Sequence, residues 1–211
     1  WMPEKVEKMS QIFLKNENIK LLVTDVEPLY EDENAPKLYL PEIGKSLLTK
    51  LSFNVHIFEI HRPGCTYCLR KELIIPFQKI WFSECAHDSV LWIVALCQDG
   101  LYSYKEQLIK FRRHDSNSTP INARNKKSKI DEITFKRKVI NKLRENAEFL
   151  KLDEEKKIQL EKLDNYLKIR LDIISNQRIL KIFGLLKYIN YYPKKRSLLV
   201  DVMATFERDR K

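Results

Sequence analysis

Two cysteines are the residues best suited to chemistry: Cys65 and Cys68, which enclose the dipeptide Thr66-Tyr67. A C-x-x-C pair between a strand and a helix is typical of a thioredoxin-like redox site, because the helix N-terminus lowers the pKa of the first thiol. A strand is predicted just before the pair, over 53–60. The chain offers no cis-proline strand downstream and continues into helices where that fold needs a β-hairpin. A thiol-redox site is therefore one alternative for this pair.

Zinc binding is the second alternative for the same cysteines. Cys65 and Cys68 have the spacing of one half of a tetrahedral site, and Cys85 with His87 would complete a set of four ligands. A single residue between the second pair of ligands is an unusual spacing. The simplest interpretation is that the cysteines are small buried hydrophobic residues in a reducing compartment, because four cysteines in 211 residues are too few for a disulfide scaffold.

The sequence contains no recognisable set of catalytic residues. The histidines are scattered and lie near no serine nucleophile elbow and in no H-E-x-x-H motif. The four glycines stand alone, so the sequence has no glycine-rich phosphate loop. We therefore expect a protein that is not an enzyme and that binds neither a metal nor a cofactor.

Positive charge is concentrated near the middle of the chain, whose overall net charge is +10. The segment 114–130 is polar and aperiodic, which predicts a flexible linker. Its basic residues, with those just before it, are Arg112, Arg113, Arg124, Lys126, Lys127 and Lys129. Such cations neutralise phosphates, so a nucleic-acid-binding module that uses 112–138 is an alternative function for this chain, and weak contact with nucleic acid is expected there. Because aromatic residues do not alternate with these cations, a solvated loop is the competing interpretation.

The front half of the chain, which must position the cysteines, is predicted to contain both helices and strands. Its predicted elements are a helix over 5–16, strands over 19–26, 37–40 and 53–60, and helices over 41–50, from Pro76 onward, and over 102–113. The segment 27–36 is predicted to be a loop. The run 90–96 is apolar all round, which fits a buried strand or a buried helix equally well.

The back half, 131–211, predicts helices over 131–151, 153–174, 176–190 and 198–207. Apolar residues recur there at helical spacing, and a helix with such a stripe must bury it against another element or another protein. We expect partner contact through Tyr166, Leu167, Leu171, Ile174, Ile182 and Leu186, supported by the front-half aromatic residues Trp81, Trp92, Tyr102 and Tyr104. Aromatic residues of this kind also occur in cores, which is the alternative role for the front-half set.

Together these elements predict an α+β fold, with a small β-rich N-terminal part followed by a mainly helical C-terminal part. The predicted boundaries are a mixed β-rich domain over 1–63, a helical core connection over 64–113, the linker over 114–130 and the helical domain over 131–211. No stretch approaches the roughly 18 apolar residues of a membrane span, so we expect no membrane partner.

Several segments, taken in order over 37–111, resemble subunits of the GINS complex, the scaffold of the eukaryotic replicative helicase, and most of all its third Psf subunit. The family motif K-L-x-L-P before a short helix is matched by 37–41, and a late helix ending in E-R is matched by 199–208. Two features depart from the family pattern: Glu42 and Ile43 stand where the family has a tryptophan, and 114–130 is a long insertion.

The resemblance implies a non-catalytic scaffold or adaptor subunit of an obligate hetero-oligomer. Family members bind sister subunits through their helical domains, which implies other protein subunits as partners. The implied setting is chromosome biology, in particular DNA replication, with the protein in the nucleus or in the cytoplasm.

Overall fold

The computed structural model describes residues 1–31, 33, 35, 37–114, 125–176 and 178–206, apart from the side chain of residue 179. The chain divides into two compact units. Unit 1 comprises Trp1–Phe53, Ile57–Ile121 and Glu148–Lys151, and unit 2 comprises Asn54–His56, Asn122–Ala147 and Leu152–Lys211. Most of the predicted linker, together with Arg124, lies outside the described residues.

A mixed sheet of four strands forms the centre of unit 1 within the described residues. The strands are β1 (Leu21–Tyr30), β2 (Leu48–Lys50), β3 (Tyr67–Leu69) and β4 (Leu101–Arg113), in the spatial order β2-β4-β1-β3. β1 and β4 run parallel, and the two short outer strands pair with them antiparallel. Because β1 and β4 are parallel, the chain must cross over between them, and helix α3 (His87–Cys97) lies in that connection.

β4 occupies a segment that the sequence predicts to be a helix, so that prediction is wrong. Tyr104, Leu108 and Phe111 have the spacing of a helical stripe, but buried and half-buried positions alternate at the start of the segment, as in a strand. Its backbone pairs along most of its length with β1, whose first four residues are buried. Pairing with a buried strand therefore outweighs the local helical pattern.

Helix α3 settles the ambiguity of the apolar run 90–96. Its residues from Val90 to Cys97 are all buried, which explains why the sequence shows no amphipathic period there. The helix ends just before Gly100, whose carbonyl oxygen accepts hydrogen bonds from the amides of Lys20 and Leu21 at 2.8 and 3.0 Å. A Cβ atom on Gly100 would lie 2.5 Å from Cγ of Lys20, so this close approach of the two chain segments requires glycine.

Four further predictions for the front half are wrong, one of them in part, because residues 27–30 of the predicted loop belong to β1. Residues 37–40 and 53–60 form no strand, and 41–50 contains the short strand β2 in place of a helix. Gly44 has a left-handed φ of 81°, which interrupts a helix. In 53–60 the residues Ile57, Phe58 and Ile60 are buried from a turn-rich segment without strand pairing, so the alternation of apolar and polar residues there does not correspond to a strand.

The start of the chain agrees with the sequence pattern. Helix α1 (Lys5–Lys15) is amphipathic and buries Met9 against Ile19, Leu22 and Leu108 of unit 1.

Helix α2 (Ile74–Ile80) begins two residues before the predicted start at Pro76. A proline is accepted there because the first helical turn leaves its amides without intrahelical partners.

Unit 2 is built on two long helices, α4 (Lys126–Glu145) and α5 (Glu154–Asn176), which pack against each other. Their buried apolar residues form the core of this unit: Ile133, Val139, Ile140 and Leu143 from α4, and Leu160, Leu163, Leu167, Ile173 and Ile174 from α5. The prediction of long helices with buried apolar sides within 131–151 and 153–174 is confirmed, although α4 ends at Glu145. α4 begins inside the segment predicted to be linker, because Asn125 caps it by accepting a hydrogen bond from the amide of Ser128 at 2.8 Å.

The last elements of unit 2 are shorter than the sequence suggests. The predicted helix over 176–190 is replaced by a 3₁₀ helix (Ile179–Lys181), the short helix α6 (Ile182–Leu185) and a second 3₁₀ helix (Leu186–Tyr191) with a kink at Tyr188. Helix α7 (Ser197–Thr205) follows and packs against α5.

The predicted α+β class, with the sheet in the N-terminal half and helices after it, is confirmed. Among the helices of the described residues, none has both the length and the apolar character needed to cross a membrane.

The buried helix α3 gives a direct stability prediction. Ile93 is fully buried in unit 1, so Ile93→Ala should lower the free energy of unfolding by about 2–5 kcal/mol through lost burial and the cavity left behind. Urea denaturation followed by circular dichroism measures this change. Leu14→Ala, at an exposed position of α1, is the control and should change it by less than about 0.5 kcal/mol.

Candidate partner interface

Helix α7 buries an aspartate and exposes its largest apolar residues. Asp201, Ala204 and Thr205 are buried, whereas Leu199, Met203 and Phe206 are between 65% and 71% exposed. The three exposed residues follow one another at spacings of four and three, so they lie on one side of the helix. We call them the α7 stripe. This orientation is the reverse of an ordinary surface helix, which buries its apolar side.

The inward side of α7 is held by Asp201, which is buried and accepts hydrogen bonds from three side chains. Nε and Nη2 of Arg170 on α5 lie 2.7 and 3.1 Å from its Oδ2 and Oδ1. Nζ of Lys129 on α4 lies 2.6 Å from Oδ1, and the Tyr192 hydroxyl donates to Oδ2 at 2.8 Å. One carboxylate therefore ties α7 to both long helices and to the segment before it.

Aromatic rings surround this carboxylate. The Arg170 guanidinium lies 5.4 Å from the ring centre of Tyr166 and 5.2 Å from that of Tyr192, distances at which cation–π attraction adds to the ion pair. Burial by itself raises the pKa of a carboxyl group, but Arg170 and Lys129 outweigh it and hold the pKa of Asp201 below its ordinary value. Asp201 is therefore ionised, and the orientation of α7 depends on a charged contact.

A second exposed apolar stripe lies on the segment around α6. Leu180, Phe183 and Leu186 are between 55% and 84% exposed, while Leu185 is buried. The three exposed residues are spaced by three, and this segment is largely 3₁₀ helix, in which residues three apart lie above one another. We call them the α6 stripe. The α6 and α7 stripes together are the candidate partner interface of unit 2.

The residues predicted for partner contact fall into two groups. Tyr166, Leu167 and Ile174 are buried in the core of unit 2, which corrects their assignment because they offer no surface to a partner. Leu171 and Ile182 are half-buried, and only Leu186 belongs to a stripe.

The front-half aromatic residues mostly stabilise unit 1. Trp92 is buried, and its Nε1 donates to the carbonyl of Ile57 at 2.9 Å, so it is a core residue and its assignment to partner contact is also corrected. Trp81 is partly exposed, with its Nε1 bonded to the Cys85 carbonyl. Tyr102 and Tyr104 are half-buried on β4.

Sequence reasoning missed five of the six stripe residues. The signal that identifies the α7 stripe is the pairing of Leu199, Met203 and Phe206 on one side with Asp201 and Thr205 on the other. Whether the apolar or the polar side faces inward depends on the partners of Asp201, which lie 31 and 72 positions earlier in the chain.

The described residues of the predicted nucleic-acid set lie in different elements of the two units. Arg112 pairs with Glu31 and Arg113 is buried, both in unit 1. Lys129 forms an ion pair with Asp201 in unit 2, so it is not available for the predicted contact with nucleic acid. Lys126 and Lys127 lie in the first turn of α4. The predicted set is thus divided between two units.

The cysteines lack the surroundings of a redox or zinc site. Cys65 lies in a 3₁₀ helix (Gly64–Thr66) and Cys68 in β3, so no α-helix begins between them. Burial raises the pKa of both thiols, which is the opposite of an activated cysteine. Cys85 is buried, and the described residues contain no group of three or more His, Cys, Asp or Glu side chains placed to hold a metal ion.

Unit 1 contains a cleft of about 430 Å³ near the start of α3. Three of its polar lining residues already bond to other parts of unit 1. Arg62 donates to Asp25 and to the Pro41 carbonyl, Asp88 accepts from the amides of Gly64 and Ser89, and His61 pairs with Glu59. The cleft is therefore a weaker candidate site than the two stripes.

No protein-family model, no curated protein and no solved structure matches this chain.

Neutralising Asp201 tests whether it holds α7. Asp201→Asn leaves Arg170 and Lys129 buried without a counter-charge, so the free energy of unfolding of unit 2 should fall by about 3–5 kcal/mol. Chemical denaturation monitored by helical circular dichroism measures it. Asp172→Asn, which breaks the more exposed pair with Lys181, is the matched control and should cost less than about 1 kcal/mol.

The same contact predicts a pH dependence. Because the pKa of Asp201 is lowered in the folded state, its ionisation stabilises the protein above the ordinary aspartate pKa of about 4, and that stabilisation is lost as the pH falls through the lowered value. Between pH 7 and about pH 2 the free energy of unfolding should therefore decrease more steeply for the wild type than for Asp201→Asn. Denaturation curves recorded at each pH measure it. Equal slopes would show that Asp201 does not titrate with folding.

Proposed function

We propose that this chain is a non-catalytic scaffold or adaptor subunit of an obligate multiprotein complex, and that unit 2 binds another subunit through the α6 and α7 stripes. The observation that carries the proposal is the reversed orientation of α7. A helix that buries an aspartate and exposes Leu199, Met203 and Phe206 leaves in water the side chains that gain most from burial.

Single exposed apolar residues are common on protein surfaces and need no explanation. Here the exposed residues are regularly spaced, large and concentrated on two neighbouring stretches of sequence, 180–186 and 199–206. Exposed apolar patches of this kind mark interaction surfaces. A partner that covers either stripe would gain free energy from burial at about 25 cal/mol for each Å² of apolar surface removed from water.

The resemblance to GINS subunits supplies a biological setting for this proposal. That family places a β-rich part before a helical part, which is the order of elements in this chain. The late family helix resembles 199–208, so the resemblance overlaps the α7 stripe. We accordingly propose that the partners are sister subunits of a complex acting in chromosome biology, with DNA replication in the nucleus as the specific expectation.

Affinity purification from the native cell tests the proposal. Tagged wild-type chain should co-purify with a fixed set of other proteins in stoichiometric amounts. Leu199→Asp with Met203→Asp places two charges in the middle of the α7 stripe and should remove at least one of these proteins. The matched control is Ile158→Asp, at an exposed apolar position of α5 outside both stripes, which should leave the set unchanged.

Two outcomes would contradict the proposal. One is a wild-type chain that purifies alone at every salt concentration tested. The other is an unchanged set of co-purifying proteins in the stripe variant, provided that its helical circular dichroism matches the wild type.

A further inference from the structure

The surroundings of both stripes are strongly basic. Residues 178–206 contain six cations, Arg178, Lys181, Lys187, Lys194, Lys195 and Arg196. Their only acidic residue is Asp201, which is buried and already paired with Arg170 and Lys129. Of these cations, Lys181 is paired with Asp172 of α5, whereas Lys187, Lys195 and Arg196 are exposed.

These cations lie next to the apolar residues. Lys195 and Arg196 are exposed and precede α7 directly, one helical turn before Leu199. Lys187 is exposed and follows Leu186 of the α6 stripe. Each stripe thus has an apolar centre with cations at one end, which resembles the apolar core and charged rim of a protein interface.

From this arrangement we infer that the partner segment is an acidic amphipathic helix, whose apolar side covers the α7 stripe while its carboxylates meet Lys195 and Arg196. This inference rests on the proposed function and specifies the chemistry of the partner. Complementary charges at the rim of such an interface accelerate association and fix the register of the bound helix.

The charge argues against a second copy of the chain as the occupant. Joining two copies through the same stripes would bring two sets of cations together, and the whole chain carries a net charge of +10. Like charges across an interface disfavour association. The electrostatics therefore disfavour a second copy of the chain as the occupant of the stripes.

An anionic membrane surface is the other partner that suits apolar residues beside cations. A helix that lies on a membrane keeps its polar side in water. The polar side of α7 is instead buried against α5 and α4 through Asp201. The short length of α7, nine residues, also limits the apolar area that it could insert. The observations therefore favour a protein helix.

Peptide binding to the full chain tests this inference. The probe is a fluorescently labelled peptide of about 20 residues, with leucine at positions i, i+3, i+4 and i+7 of each repeat and glutamate elsewhere. A second peptide replaces every glutamate by lysine, and a third replaces every leucine by serine. Fluorescence anisotropy gives the affinities at low and at physiological ionic strength.

We expect the acidic peptide to bind at least about tenfold more tightly than the basic one, and more weakly as salt rises. Lys195→Glu with Arg196→Glu should weaken its binding by about tenfold and reduce the salt dependence. Acidic residues suit the start of a helix, so this variant should fold. The matched control, Lys162→Glu with Lys168→Glu at exposed positions of α5, should bind like the wild type.

The outcomes separate this inference from the proposed function. If the acidic and basic peptides bind equally and both are lost in Leu199→Ser with Met203→Ser, the apolar interface stands and the acidic partner is overturned. Binding to phosphatidylserine vesicles but to no peptide overturns it in favour of a lipid surface, and stripe-dependent dimers in light scattering overturn it in favour of a second copy. If nothing binds and nothing co-purifies from cells, both the inference and the proposed function fail.

Discussion

The buried carboxylate of Asp201 is the contact on which the arrangement of unit 2 depends. It accepts hydrogen bonds from Arg170, Lys129 and Tyr192, which belong to three different parts of the unit. Removing a carboxylate and two cations from water is costly, and their mutual attraction offsets that cost only when the geometry is good. Replacing such a cluster by apolar residues is often neutral or stabilising, so stability alone does not explain it. What the cluster determines is which side of α7 faces inward.

The orientation of α7 about its own axis determines which of its residues a partner can contact. Once Asp201 is fixed inside, Leu199, Met203 and Phe206 must point outward. Unit 2 nevertheless retains an apolar core of its own between α4 and α5, so it does not need a partner to bury its long helices. Assembly would then join an already folded unit to its partner, and the exposed stripes would contribute binding free energy instead of folding free energy. A folded scaffold with a specific docking surface fits this division of roles.

The sequence predicts part of this account for clear physical reasons. Helices α1, α4 and α5 each have one buried apolar side, so their period is visible in the sequence. Helix α3 is buried all round and therefore shows no period. β4 is not visible in the sequence, because Tyr104, Leu108 and Phe111 have the spacing of one side of a helix. The exposure of the stripe residues cannot be predicted from the sequence, because an exposed leucine and a buried leucine look the same there. Only the distant partners of Asp201 decide which side of α7 is exposed.

The central claim is that the apolar side of α7 faces water in the isolated chain, and methionine oxidation measures this directly. Met203 lies in the α7 stripe and is exposed, whereas Met9 is buried in unit 1. Dilute hydrogen peroxide followed by peptide mass spectrometry gives the oxidation rate of each thioether. The account predicts that Met203 oxidises nearly as fast in the folded chain as in urea, while Met9 is strongly protected. Protection of Met203 equal to that of Met9, in a dilute monomeric sample, would contradict it.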